Sequence, residues 1–149
     1  MVKIMGGGLI LLAGVIHAYD FRMRQRSAIH DLRFYCDMVE HVQTQISYFS
    51  LPYLKILEEY DPLAEKTPEA MLQALDTKQY LTAAEKKAVS DWICHLGDGY
   101  KDEQLKRCAY AKEVLGRFLE TRQREYPNKI KVNNALSLLS GVSLILLLI

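Results

Sequence analysis

Four histidines and three cysteines are the side chains of this 149-residue chain best suited to bind a metal or act as a nucleophile. Asp37 and His41 are four residues apart, so they would share one helix face and could provide two metal ligands. No third ligand follows at a suitable spacing, and two ligands on one helix face are common by chance. A solvent-exposed helix face is therefore the favoured interpretation of this pair.

Cys94 and His95 are neighbours, which suggests a nucleophile and its base. Adjacent helical residues point about 100° apart, so the two side chains cannot easily meet. With Cys36 and Cys108 the cysteines are odd in number and lack C-x-x-C spacing. This argues against a disulfide framework or a structural zinc site and fits a reducing compartment. The sequence predicts a non-enzymatic protein with no cofactor and no metal.

The charged residues are concentrated in the middle of the chain. Residues 22–131 contain 18 of the 19 basic and 17 of the 18 acidic residues, and the two ends contain only Lys3 and Asp20. Nucleic-acid binders show a clustered basic excess, so this near balance excludes that class. A soluble enzyme domain would distribute its core positions along its whole length. A polytopic transporter would need more apolar runs of about 18 residues.

Each end of the chain carries an apolar run that we interpret as a transmembrane helix. The run from Ile4 to Phe21 would form a helix of about 27 Å, close to the hydrocarbon thickness of about 30 Å, and Val132–Ile149 is equally long. A cleaved signal peptide is the alternative for the first run. We predict an N-terminal span at 1–21, a cytoplasmic domain at 22–131 and a C-terminal span at 132–149.

Basic residues flank the same end of both predicted spans, which sets the topology by the positive-inside rule. These topology-setting residues are Arg22, Arg24, Arg26, Lys129 and Lys131. Both termini should lie outside the cell and the middle segment in the cytoplasm. Small residues at helical spacing would let the two spans pack closely in the membrane. They are Gly6, Gly14, Ala18, Ser137 and Gly141.

The middle segment has the apolar spacing of an all-α domain. Its first long helix, Ser27–Phe49, carries a seam with alternating steps of three and four residues, typical of helices packed side by side. The seam residues are Leu32, Tyr35, Val39, Val42, Ile46 and Phe49. A short helix at Tyr53–Tyr60 should follow Pro52.

Three further helices follow. Thr67 and Pro68 begin a helix that ends near Leu75, and Thr82 with Glu85 forms a capping box before Ala83–Leu96. Lys101–Tyr126 forms the last long helix, and Pro127 marks a joint before the second span. The fold is thus a membrane helical hairpin that flanks a helical bundle with two long antiparallel helices. Trp92 and Tyr100 are candidate partner-binding residues, with burial in the core as the alternative.

Several short motifs, in this order, resemble the stage III sporulation protein AB family of endospore-forming bacteria over nearly the whole chain. They are an initial Met-x-Lys-x-x-Gly, Ile46-x-Tyr48 before Pro52, Leu96-Gly97 before a long polar helix, and the apolar C-terminal stretch from Leu138 to Ile149. The resemblance implies a subunit of the channel that links the mother cell to the forespore. It also implies a cytoplasmic domain similar to the type II secretion F-family platform protein.

The resemblance further implies that the chain lies in the mother-cell membrane and couples a cytoplasmic ATPase of the same operon to the membrane ring. Its other expected partners are the remaining stage III operon and channel-complex membrane proteins and the lipid bilayer, and a homo-oligomer is left open. The alternatives are a generic secretion or pilus F-family platform protein, a membrane-anchored helical adaptor, and an enzyme.

Overall fold

The computed structural model describes residues 2–49, 55–56 and 67–148, and gives side-chain surroundings from Leu12 onward except at positions 144, 145, 147 and 148. The helices are α1 (Val2–Phe49), α2 (Pro68–Thr77), α3 (Ala83–Cys94) and α4 (Lys101–Leu148). No strand occurs among the described residues, which confirms the all-α prediction for this part of the chain. Apart from positions 55 and 56, the helix predicted at Tyr53–Tyr60 lies outside the described residues, as does Pro52.

The chain divides into two compact units. One consists of residues 1–27 and 122–149 and is called the helix pair below. The other, residues 28–121, is called the central domain. The central domain begins six residues after the start and ends ten residues before the end of the predicted cytoplasmic segment 22–131. The assignment of 1–21, 22–131 and 132–149 as span, domain and span stays a prediction.

The two predicted spans fall on the beginning of α1 and the end of α4. Within the described part of the chain, no helix combines the length and the hydropathy needed to cross a bilayer. The membrane hairpin therefore also stays a prediction.

Within the central domain, α1 and α4 run antiparallel. Lys112 Nζ donates to Glu40 Oε1 at 2.8 Å, and Lys101 Nζ donates to the Ser47 carbonyl at 2.9 Å. Residues further along α1 thus meet residues earlier in α4. This is the antiparallel arrangement expected for the two long helices.

The seam of α1 forms the centre of the core. Leu32, Val39 and Val42 are fully buried, and Tyr35 and Ile46 are 4% exposed. Burial of each such side chain contributes about 1.5–3 kcal/mol. Around them lie apolar residues of the other helices, of position 56 and of the connection between α2 and α3: Ile56, Met71, Leu75, Leu81, Val89, Trp92, Ile93, Cys108, Ala111 and Leu115.

The seam ends at Ile46, and the placement of Phe49 in it needs correction. Phe49 is 66% exposed. The contact between Lys101 and Ser47 places the first turn of α4 beside Ser47. Because α4 begins there, none of its turns remains to cover Phe49.

Capping by hydroxyl side chains sets the starts of α2 and α3. Thr67 Oγ1 accepts a hydrogen bond from the Ala70 N–H at 3.3 Å, with Pro68 as the first helical residue. Thr82 and Glu85 form the reciprocal capping box: the Thr82 N–H donates to Glu85 Oε2 at 2.7 Å, and Thr82 Oγ1 accepts from the Glu85 N–H at 3.3 Å. Both starts confirm the prediction, and such caps contribute about 1 kcal/mol each.

α3 ends at Cys94, two residues before the expected end. The N–H groups of His95 and Leu96 donate to carbonyls three residues earlier, at 3.2 and 3.1 Å. This tight last turn satisfies two helix-end carbonyls. Gly97 follows with φ 84°, a conformation that glycine adopts without strain.

The joint predicted at Pro127 is wrong, because α4 continues through the proline. An internal proline removes one backbone hydrogen bond and costs about 3 kcal/mol. Side-chain contacts on both sides hold this turn in place: Lys129 Nζ lies 2.6 Å from Glu125 Oε2, and Arg26 Nε donates to the Tyr126 hydroxyl at 2.9 Å. The hydrogen bond and the charge of Lys129 lower the pKa of the Glu125 carboxyl.

A charge placed in the seam should unfold the central domain. Val42 has no exposed surface, so Val42→Asp should lower the free energy of unfolding by about 3–5 kcal/mol. Thr44→Asp is the matched control, because Thr44 is exposed on the same helix and should change stability by less than about 0.5 kcal/mol. Chemical denaturation of the full chain in detergent, followed by circular dichroism, measures both. Equal unfolding midpoints would contradict the assignment of the seam.

Candidate functional site

The described residues contain no group of three or more His, Cys, Asp or Glu side chains placed to hold a metal ion. Asp37 lies on an exposed face and His41 is half-buried. His95 Nδ1 lies 2.7 Å from the Asp91 carbonyl, so it donates its proton there and not to the neighbouring Cys94. The hydrogen bond of His95 thus gives no support to a Cys94–His95 pair.

Two of the three cysteines are poorly placed for reaction. Burial raises the pKa of the Cys36 thiol, Asp37 and Glu40 raise it further, and Lys112 partly offsets the effect. Burial also raises the pKa of the Cys108 thiol, partly offset by the Trp92 indole N–H. Cys94 differs, because its side chain is exposed.

In the helix pair, small residues bring α1 and α4 into close contact. A Cβ atom added at Gly14 would lie 3.7 Å from the Ser137 carbonyl oxygen. Ala18 and Ser137 are half-buried and Gly141 is buried. The structure thus brings Gly14 and Ser137 together, whereas Gly6 lies outside the residues whose surroundings it describes.

In the helix pair, apolar side chains lie on the surface, whereas two polar side-chain atoms lie inside. Val15 is 70% exposed and Leu138 is 64% exposed. Other exposed apolar side chains of this unit are Leu12, Ile16, Tyr19, Met23, Val132, Leu136, Leu139, Val142 and Leu146. By contrast, Asn133 Nδ2 and Asn134 Oδ1 are enclosed without hydrogen-bond partners among the described residues. Water-soluble proteins show the opposite distribution, whereas small and polar residues lie between helices in membranes.

The topology-setting basic residues are all exposed and lie at one end of the helix pair. Arg24 pairs with Asp20 at 2.6 Å, and Arg26 contacts Tyr126 of α4. Arg22 lies one turn before Arg26, closer to the apolar part of α1. Lys129 and Lys131 lie on α4 between Tyr126 and its apolar part. Because Gly14 meets Ser137, the apolar stretches of both helices lie together beyond this charged end.

A groove of about 670 Å³ runs between α3 and α4 on the central domain. Trp92 forms part of its wall with only 5% of its surface exposed. Tyr100 is 89% exposed, and the groove lining does not include it. Trp92 is therefore largely enclosed, whereas Tyr100 is open to solvent.

Sequence reasoning missed this groove, although its signal is present. Ala84, Ala88 and Trp92 recur every four residues on α3, and Tyr110, Val114 and Phe118 do so on α4 (the remaining lining is mostly charged). Residues four apart share one helix face. The sequence alone does not show that these faces of α3 and α4 lie side by side, so the groove between them could not be predicted.

The family model of stage III sporulation protein AB matches residues 61–149, well over half of the chain. The chain belongs to the stage III sporulation protein AB family. The match includes α2, α3 and α4, and therefore both walls of the groove and one helix of the helix pair. This confirms the resemblance, although its motifs before Pro52 lie outside the matched residues.

Searches of curated proteins and of solved structures found no match. Membership in the AB family makes the chain a stage III sporulation protein. The expected similarity of its domain to the F-family platform protein is not shown and stays a prediction.

The surroundings of the cysteines predict one fast-reacting thiol. Cys94 should be alkylated first at pH 8, because the raised pKa values of Cys36 and Cys108 leave little thiolate at that pH and burial slows access. Time-resolved mass spectrometry of the iodoacetamide-treated chain measures this order. Cys94→Ser should remove the fast phase. A fast phase that persists in this variant would contradict the placement of the other two thiols.

Proposed function

We propose that this chain is a non-enzymatic, membrane-anchored assembly subunit of the channel complex between the mother cell and the forespore. It couples a cytoplasmic ATPase of the same operon to the other membrane proteins of the complex. Membership in the stage III sporulation protein AB family supports the sporulation role. The observation that carries the membrane role is the distribution of apolar and polar side chains in the helix pair.

Lipid provides the missing apolar environment for the helix pair. Leaving a Leu or Val side chain in water instead of burying it costs about 1.5–3 kcal/mol, and many such side chains point outward, Val15 and Leu138 among them. A bilayer removes this cost without any further protein. In lipid, close contact through Gly14 and Ser137 provides the packing that holds two helices together.

The charged end of the helix pair sets its orientation. Arg22, Arg24 and Arg26 on α1 lie at the same end as Lys129 and Lys131 on α4. Cytoplasmic ends of membrane helices carry such basic residues. In this proposal both termini are outside, residues 22–131 are in the mother-cell cytoplasm, and the chain forms a two-span hairpin.

The central domain is the part available to the ATPase. It is rich in charges of both signs and exposes Tyr100 and the α3–α4 groove. Aromatic side chains and grooves of this kind serve protein contacts.

Co-purification from sporulating cells tests this role. The tagged full-length chain, extracted in mild detergent, should recover the operon's cytoplasmic ATPase together with other stage III membrane proteins, as identified by mass spectrometry. Val42→Asp, which unfolds the central domain, should lower ATPase recovery at least about tenfold, equivalent to about 1.4 kcal/mol of binding free energy. Thr44→Asp should match the original chain.

Recovery of stage III membrane proteins without the ATPase would contradict the coupling role and favour a membrane-anchored adaptor. Recovery of neither would contradict the proposed function as a whole.

A further inference from the structure

The floor of the α3–α4 groove is apolar. On α3 it consists of Ala84, Ala88 and the edge of Trp92, and on α4 of Ala111, Val114 and Phe118. The alanines leave room for a partner's side chains to approach the helix backbones. The volume of about 670 Å³ lies within the range of binding clefts, about 300–1,000 Å³.

The length of the groove suits a helix. Its lining extends from Ala84 of α3 to His95, the residue that directly follows α3, and from Glu103 to Phe118 on α4. At about 1.5 Å per residue these stretches measure about 18 and 24 Å. A partner helix that presents apolar side chains at positions i, i+4, i+7 and i+11 spans about 17 Å, close to the shorter of these lengths.

The rim of the groove carries a net positive charge. Glu103 Oε1 accepts from Arg107 Nη2 at 2.7 Å, so these two charges compensate each other. Lys87 and Lys106 have no such partner among the described residues, and Asp91 can offset only one of them. In addition, Arg107 Nη1 is enclosed without an acceptor in the described part of the chain, which is costly for a charged donor.

We propose that the α3–α4 groove binds an amphipathic helix of a partner protein, with an apolar stripe on the groove floor and carboxylates at the rim. The carboxylates face Lys87 and Lys106. This inference rests on the proposed assembly role, because it defines the chemistry of one partner contact. It depends only on residues of the central domain.

Two labelled peptides test the chemistry of the occupant directly. Both are 16-residue helices with Leu at positions i, i+4, i+7 and i+11, and they differ only in carrying Glu or Lys at the flanking positions. Fluorescence anisotropy with the full-length chain in detergent measures their affinities. We expect the Glu peptide to bind at least about tenfold more tightly than the Lys peptide, as expected for complementary charges at a rim.

Reversal of the rim charges should reverse this preference. The double variant Lys87→Glu with Lys106→Glu should bind the Lys peptide more tightly than the Glu peptide. The double variant Arg33→Glu with Lys55→Glu has the same net charge and changes exposed residues outside the groove, so it should keep the original preference. This comparison separates a local rim effect from a general charge effect.

Equal affinities for the two peptides, or no saturable binding up to about 1 mM, would overturn the proposal. So would equal effects of the two double variants. If the rim variant instead changed the molar mass of the chain in light scattering, the occupant would be a second copy, and the proposal would again be wrong. None of these results alters the co-purification test, which measures recovery of the ATPase and the membrane proteins.

Discussion

Close antiparallel packing of α1 against α4 is the constraint on which each unit of this protein depends. In the central domain the two helices enclose an apolar core together with α2 and α3, and Leu32, Val39 and Val42 of α1 are fully buried in it. In the helix pair the same two helices meet through Gly14 and Ser137, with Asn side chains enclosed and Val and Leu side chains outside. The same two helices therefore bury apolar side chains in the central domain and expose them in the helix pair. Such a reversal is expected when one part of a chain folds in water and another in lipid.

Two surfaces of the described residues support the proposed assembly role: an apolar exterior on the helix pair and a groove with a basic rim on the central domain. The first is suited to a bilayer and the second to an acidic helix. Membership in the stage III sporulation protein AB family makes the chain a stage III sporulation protein, and the proposal that it holds other molecules at a membrane builds on these two surfaces.

Much of the fold could be predicted from local signals in the sequence. The three-and-four spacing from Leu32 to Ile46 identified the core of α1, and the hydroxyls of Thr67 and Thr82 identified the starts of α2 and α3. The errors at Phe49 and Pro127 have a common cause. Each depends on a neighbour distant in sequence: Lys101 limits the seam, and Arg26 holds the turn at Tyr126. The groove escaped prediction for the same reason, because its two walls belong to different helices.

Thiol labelling in intact cells tests the central claim, that the helix pair lies in a membrane with the central domain inside. A membrane-impermeant maleimide should label a Val2→Cys chain in intact cells. The exposed native Cys94 should react only after the cells are permeabilised. The unaltered chain is the control for the native thiols. Labelling of Cys94 in intact cells, or a cysteine at position 2 that stays unlabelled until permeabilisation, would contradict the account.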